Sequence, residues 1–119
     1  MKERSTERPT ILAIESGISG GSLAVISGGE IVGELFGDSS VSRAEDLLAK
    51  IDEIINSTVG SKHEIDSIAV SAGPGSFTGL RIGLATAMGL SSALGIRYSG
   101  IPCYVRWRKH IQMKEEKLR

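Results

Sequence analysis

Hydrophobic positions along the chain fall into short continuous runs, alternating runs and helically spaced runs. Thr10-Ile11-Leu12-Ala13-Ile14 is continuous, the pattern of a strand covered on both faces, and it ends at Glu15-Ser16-Gly17. Ser22 to Ser27 and Glu30 to Phe36 are two further β-rich runs, parted by Gly28-Gly29, and a Gly-Gly pair between such runs signals a hairpin. The chain is therefore predicted to begin as three antiparallel strands, closed by a polar turn over Gly37 to Ser40.

The period then changes. Ala44, Leu47, Leu48, Ile51, Ile54 and Ile55 follow helical spacing, and Ser42 with Glu45 three residues on makes a capping box. Glu45, Asp46, Asp52 and Glu53 lie on or beside the polar face of that helix and read as a solvated surface. After the loop at Gly60 to His63, Ile65 to Ser71 is a β-branched run that reads as a fourth strand. Gly79 to Leu94 is a nearly uncharged helix closed by Gly95, and Arg97 to Ile101 is a short fifth strand. Three antiparallel strands followed by helix, strand, helix and strand predict a mixed five-stranded α/β sheet with two main helices, the last strands parallel to the first.

The fourth strand runs into Gly73-Pro74-Gly75-Ser76-Phe77-Thr78-Gly79-Leu80-Arg81-Ile82-Gly83 before the second helix. A strand that stops at glycines and restarts as a helix leaves unpaired backbone N–H groups at the helix start, so the stretch reads either as an anion cradle or as a tight turn. The helix that follows has two small-residue stripes, Gly79/Gly83/Ala87 and Ala85/Gly89/Ala93. Glycine within a helix costs about 1 kcal/mol relative to alanine, so packing must return something. Close packing on its own sheet and contact with a helix of another subunit both satisfy that demand.

Charge and cysteine narrow the classes. The 119 residues carry no net charge, but residues 9–102 hold five Lys/Arg against ten Asp/Glu, and residues 103–119 hold six against two. An acidic body has no electrostatic footprint for a nucleic-acid backbone, so residues 10–102 are not expected to bind RNA directly. Cys103 is the only cysteine, which excludes an intrachain disulfide and fits a reducing compartment. With no apolar run of membrane-spanning length and a charged leader over residues 1–9, the chain is predicted to be cytoplasmic.

Several chemistries lack their residues. The glycine segment has neither the Lys-Ser/Thr of a P-loop nor dinucleotide-fingerprint spacing, and Gly-Pro-Gly-Ser-Phe-Thr-Gly is not a nucleophile elbow. His63 and His110 are too far apart in sequence to suggest a metal pair. Neither a catalytic nor a metal residue is assigned.

Ile11 to Ser16, Ile65 to Val70, and Gly73 to Gly83 with Ala85, Gly89 and Leu90 closely resemble the N-terminal half of the TsaB family, also called YeaZ, over residues 10–102. The resemblance implies a ribonuclease-H-like lobe of the actin, sugar-kinase and heat-shock ATPase superfamily, in its Gcp-like (glycoprotease) branch. It also implies a non-catalytic partner of TsaD, the transferase that places threonylcarbamoyl on adenosine 37 of tRNAs, with a TsaE-like ATPase joining through TsaD. In such proteins the two helices meet their counterparts in TsaD or in a second copy. The resemblance places that interface at Gly79, Gly83 and Ala87 of the second helix and Leu47 and Ile51 of the first. No cofactor is required. One alternative is an ATPase or transferase of the same superfamily that holds ATP or ADP by Glu15, Gly73, Gly75, Ser76 and Thr78, and another is a self-associating truncated remnant without a pathway role.

The chain departs from the family pattern at three places. Glu15 stands where the family usually has aspartate, Ser40 to Ala44 lacks the usual histidine, and residues 103–119 are a basic tail where a second lobe is expected. A lobe without its neighbour is expected to expose apolar surface and to self-associate.

Overall fold

The computed structural model describes residues 9–16, 21–36, 44–73 and 77–102. Five strands, β1 (Ile11–Glu15), β2 (Ser22–Ser27), β3 (Glu30–Phe36), β4 (Ser67–Gly73) and β5 (Arg97–Pro102), form one sheet in the order β3-β2-β1-β4-β5. β1 and β2 are antiparallel, as are β2 and β3, whereas β4 lies parallel to β1 and β5 parallel to β4. The mixed α/β sheet expected from the change of hydrophobic period is the one observed.

Local chemistry accounts for the turns. Gly28 and Gly29 both take positive φ, 64° and 83°, the mirror-image turn whose twist matches a hairpin and which a side chain would strain. Helix α1 (Ala44–Thr58) buries Leu47, Ile51, Ile54 and Ile55 along one stripe. Ser42 of its proposed capping box lies outside the described residues. A single 3₁₀ turn, Lys62–Glu64, follows, with the Ser61 hydroxyl accepting from the backbone of His63. Helix α2 (Phe77–Leu94) ends where the N–H groups of Gly95 and Ile96 both donate to the Ser91 carbonyl, at 2.9 and 3.1 Å.

Several boundaries differ from the sequence reading by one or two residues, at both ends of β4 and at the start of α2 among them. β4 begins at Ser67, because the backbone of Asp66 turns to donate to the Thr10 carbonyl at 2.8 Å while its carboxylate accepts from Thr10 N–H at 2.8 Å. α2 begins at Phe77, so Thr78 and Gly79 belong to its first turn.

Both helices pack on one side of the sheet, against Leu12, Ile14, Leu23, Val25, Ile68 and Val70. The other side carries Ile11, Ala13, Ala24, Ile26, Ala69 and Ile101, also buried. Burial on both sides explains why β1 reads as an uninterrupted apolar run. Among the described residues, no helix is long and apolar enough to cross a membrane.

Candidate functional site

Because β1 and β4 are parallel, their C-terminal ends, Glu15 and Gly73, open on one edge of the sheet, the edge where such sheets collect ligands. Gly73 has φ 104°, a backbone that favours glycine, and its N–H lies 3.4 Å from the Ser71 hydroxyl. Glu15 is buried at 6% exposure and stands opposite Ser22 in the β1–β2 register. The next residue, Ser16, is buried as well, and its hydroxyl donates to the Gly79 carbonyl in the first turn of α2 at 2.6 Å. That bond ties the end of β1 to the start of α2.

Of the residues named for an anion or nucleotide, the structure brings Glu15 and Gly73 to this edge. Thr78, exposed in the first turn of α2, also lines the groove between the helices. Gly75 and Ser76 lie outside the described residues. A carboxylate at the edge opposes a phosphate by like charge unless a cation intervenes.

The interface expected at Gly79, Gly83, Ala87, Leu47 and Ile51 needs correction. All five are buried within the chain, with Ala87 and Leu47 at 0% exposure and Ile51 at 1%. A Cβ at Gly83 would collide with the Ser16 hydroxyl and would lie 3.6 Å from a Val70 methyl, so this stripe is the inward face of α2, closing on its own sheet. The small residues there admit a short helix-to-sheet distance and are not available to a partner.

The surface that remains outward is the other stripe. Ala85 and Gly89 are exposed, and a Cβ at Gly89 would meet nothing within 4 Å. Beside them Leu48 of α1 is 53% exposed, Leu84 43% and Met88 48%. Leu48, Arg81, Ile82, Ala85, Gly89 and Leu90 line a groove between α1 and α2 that is mostly apolar. Sequence reasoning placed Leu48 in the buried stripe of α1. The second small-residue stripe, Ala85/Gly89/Ala93, was the signal for this surface, and spacing alone did not say which stripe faced outward.

Comparison with known proteins follows the same lines. A model of the family described as "TsaD: tRNA N6-adenosine threonylcarbamoyltransferase" matches residues 38–105. The tRNA threonylcarbamoyladenosine biosynthesis protein TsaB of Buchnera aphidicola is 50% identical over 50 residues, which cover 42% of this chain and 23% of that protein. The TsaB of Haemophilus influenzae is 34% identical over 84 residues, covering 69% and 34% respectively. The solved structure of YeaZ from Pseudomonas aeruginosa superposes with a TM-score of 0.69 at 25% identity, over 79% of this chain and 44% of that one. The chain thus spans less than half the length of these relatives.

Proposed function

Because the chain belongs to the family described as tRNA N6-adenosine threonylcarbamoyltransferase, TsaD, and is a TsaB/YeaZ-like lobe, we propose that it serves tRNA threonylcarbamoyladenosine formation as a docking partner of a TsaD-type transferase. In this reading the lobe does not catalyse the transfer, works in the cytoplasm, and reaches a TsaE-like ATPase only through the transferase.

The observation that carries the proposal is the outward apolar surface of α1 and α2, where Leu48, Leu84 and Met88 surround Ala85 and Gly89. Fully burying side chains of this size stabilises by about 1.5–3 kcal/mol each, which the isolated lobe forgoes. Separation between packed helices depends on the side chains at the crossing, and Gly89 with Ala85 lets a partner helix approach closely. A TsaD-type protein offers such a helix if its lobe shares this fold, and so does a second copy of this chain, which makes a homodimer the expected state in isolation.

Affinity capture on the cognate TsaD-type protein tests the proposal. Retention at micromolar concentration, lost on Leu48→Glu, is expected. Failure to retain the parent chain, with its fold verified by circular dichroism, overturns the partner role.

A second reading, ATP or ADP at the Glu15–Gly73 edge, is favoured by the parallel alignment of β1 with β4 and by the φ of Gly73. Calorimetric titration of the chain with ATP and magnesium separates the two readings. Saturable heat supports the nucleotide site, and none supports docking without a cofactor.

A further inference from the structure

A cavity of about 540 Å³ opens at the opposite end of the sheet from Glu15 and Gly73, where β4 and β5 begin. Lys62, His63, Asp66 and Arg97 line it together with Ile65 and Ile96. Along β4 the two ends lie roughly 20 Å apart, at about 3.3 Å per residue over Ser67 to Gly73, so this cavity is separate from the Glu15–Gly73 edge. It shares no lining residue with the groove between α1 and α2.

Its walls are fixed by the chain's own bonds. The Ser61 hydroxyl accepts from the His63 N–H at 3.1 Å, the Ile65 N–H donates to the Lys62 carbonyl at 3.1 Å, and Ile65 is buried at 1% exposure, which together hold the 3₁₀ turn in place. Asp66 is tied to Thr10 by two bonds of 2.8 Å. On the other wall, Gly95 takes φ 69° and the Ser91 hydroxyl donates to the Ile96 carbonyl, which sets the direction in which Arg97 enters β5. A preformed cavity of this size, with a few polar groups over apolar side chains, is the common form of a small-ligand site.

The charge of the lining selects the ligand. Lys62 and Arg97 are two of the five Lys/Arg in residues 9–102, a stretch with ten Asp/Glu, and they stand in the same cavity with His63. The carboxylate of the lining, Asp66, already accepts the Thr10 N–H. Lys62 pairs with Asp52 at 3.8 Å, but the two side chains are 50% and 58% exposed, and water screens such a pair. Arg97 forms no ion pair among the described residues. A guanidinium and an ammonium in one cavity match a phosphate, the first by its bidentate fork and the second as a point charge. Ile65 and Ile96 supply apolar surface beside them.

We propose that this cavity binds a small phosphate monoester, with its phosphate held by Lys62 and Arg97 and its organic group against Ile65 and Ile96. The site depends neither on docking through α1 and α2 nor on a nucleotide at the Glu15–Gly73 edge. Heat released on adding ATP is therefore assigned by repeating that titration in Arg97→Ala, which removes this site and leaves the Glu15–Gly73 edge intact.

Amide magnetic-resonance spectra of the isotope-labelled full chain, titrated with phenyl phosphate, test the proposal. Saturable shifts confined to residues 62–66 and 94–97 are expected, with inorganic phosphate binding more weakly and phenol without effect. Arg97→Ala and Lys62→Ala are each expected to weaken binding by about tenfold, the loss of one hydrogen bond to a charged group, and to leave the urea midpoint unchanged because both side chains are exposed. The absence of saturable shifts at millimolar phenyl phosphate overturns the proposal, and so do shifts at residues 73 and 77–79 in their place. Equal affinity for phenyl phosphate and inorganic phosphate overturns the part assigned to Ile65 and Ile96. A lower urea midpoint for Arg97→Ala with phosphate binding unchanged also overturns the site, because the side chain then serves the carbonyl end of α2 instead.

Discussion

The Ser16 hydroxyl occupies the space that a side chain on Gly83 would need: it donates to Gly79 one turn earlier, and a Cβ at Gly83 would collide with it. Gly83→Ala is accordingly expected to destabilise the chain by about 1–2 kcal/mol, the strain of overpacking less the helix preference gained. Ser16→Ala alone removes a buried hydrogen bond, at about 1 kcal/mol. The double variant is expected to be more stable than the sum of the two predicts, because the Ser16 Cβ would lie 3.4 Å from the new methyl, an ordinary contact. Urea denaturation of the four chains checks the sign of that coupling, and additive effects refute it.

Gly89 is expected to behave oppositely to Gly83. It sits in the same helix with open space around it, so Gly89→Ala gains helix preference and is expected to stabilise the isolated chain by about 0.5–1 kcal/mol. Gly89→Leu is expected to leave the thermal midpoint within a few degrees while weakening capture by the TsaD-type partner at least tenfold. A side chain at Gly83 cannot test the interface, since it breaks the lobe first.

Leu48 and Leu84 stand on different helices of the same surface, at 53% and 43% exposure. Replacing either by glutamate costs the isolated lobe little, because the site is already wet, and changes stability within about 0.5 kcal/mol. Self-association read by light scattering is expected to fall for both variants. An unchanged oligomer in both places the contact elsewhere.

These variants also show where sequence reading stops. The strands were legible because β1 lies between two buried faces, so Ile11 to Ile14 had to be apolar without interruption, and Gly28-Gly29 marked the hairpin. The phase of α2 was not legible. Both stripes of small residues repeat every four positions, and only Ser16 and Val70, distant in sequence, decide that Gly83 faces inward. Leu48 belongs to the apolar period of α1 yet stays exposed, because α2 meets α1 without covering that position. The bond from Thr10 to Asp66 joins residues 56 apart and leaves no periodic trace.

Asp66 links the starts of β1 and β4 through the Thr10 N–H, at 2.8 Å. Thr10 is 3% exposed, so losing its acceptor strands a buried donor. Asp66→Ala is expected to cost about 1.5–3 kcal/mol, the range for a hydrogen bond to a charged group, and Asp66→Asn less, since an amide oxygen still accepts. Denaturant midpoints of the two variants check the order, and equal losses would show that the bond is not what Asp66 contributes.

Ser67 stands beside Ile11 on the side of the sheet away from α1 and α2. Its hydroxyl is buried and has no hydrogen-bond partner among the described residues. An unsatisfied buried hydroxyl costs about 1–3 kcal/mol, so Ser67→Ala, which keeps the shape and removes the polar atom, is expected to raise the urea midpoint by about 1 kcal/mol equivalent. Urea midpoints of the parent chain and Ser67→Ala check the sign, and a lower midpoint for the variant would show that the hydroxyl contributes stability where it stands.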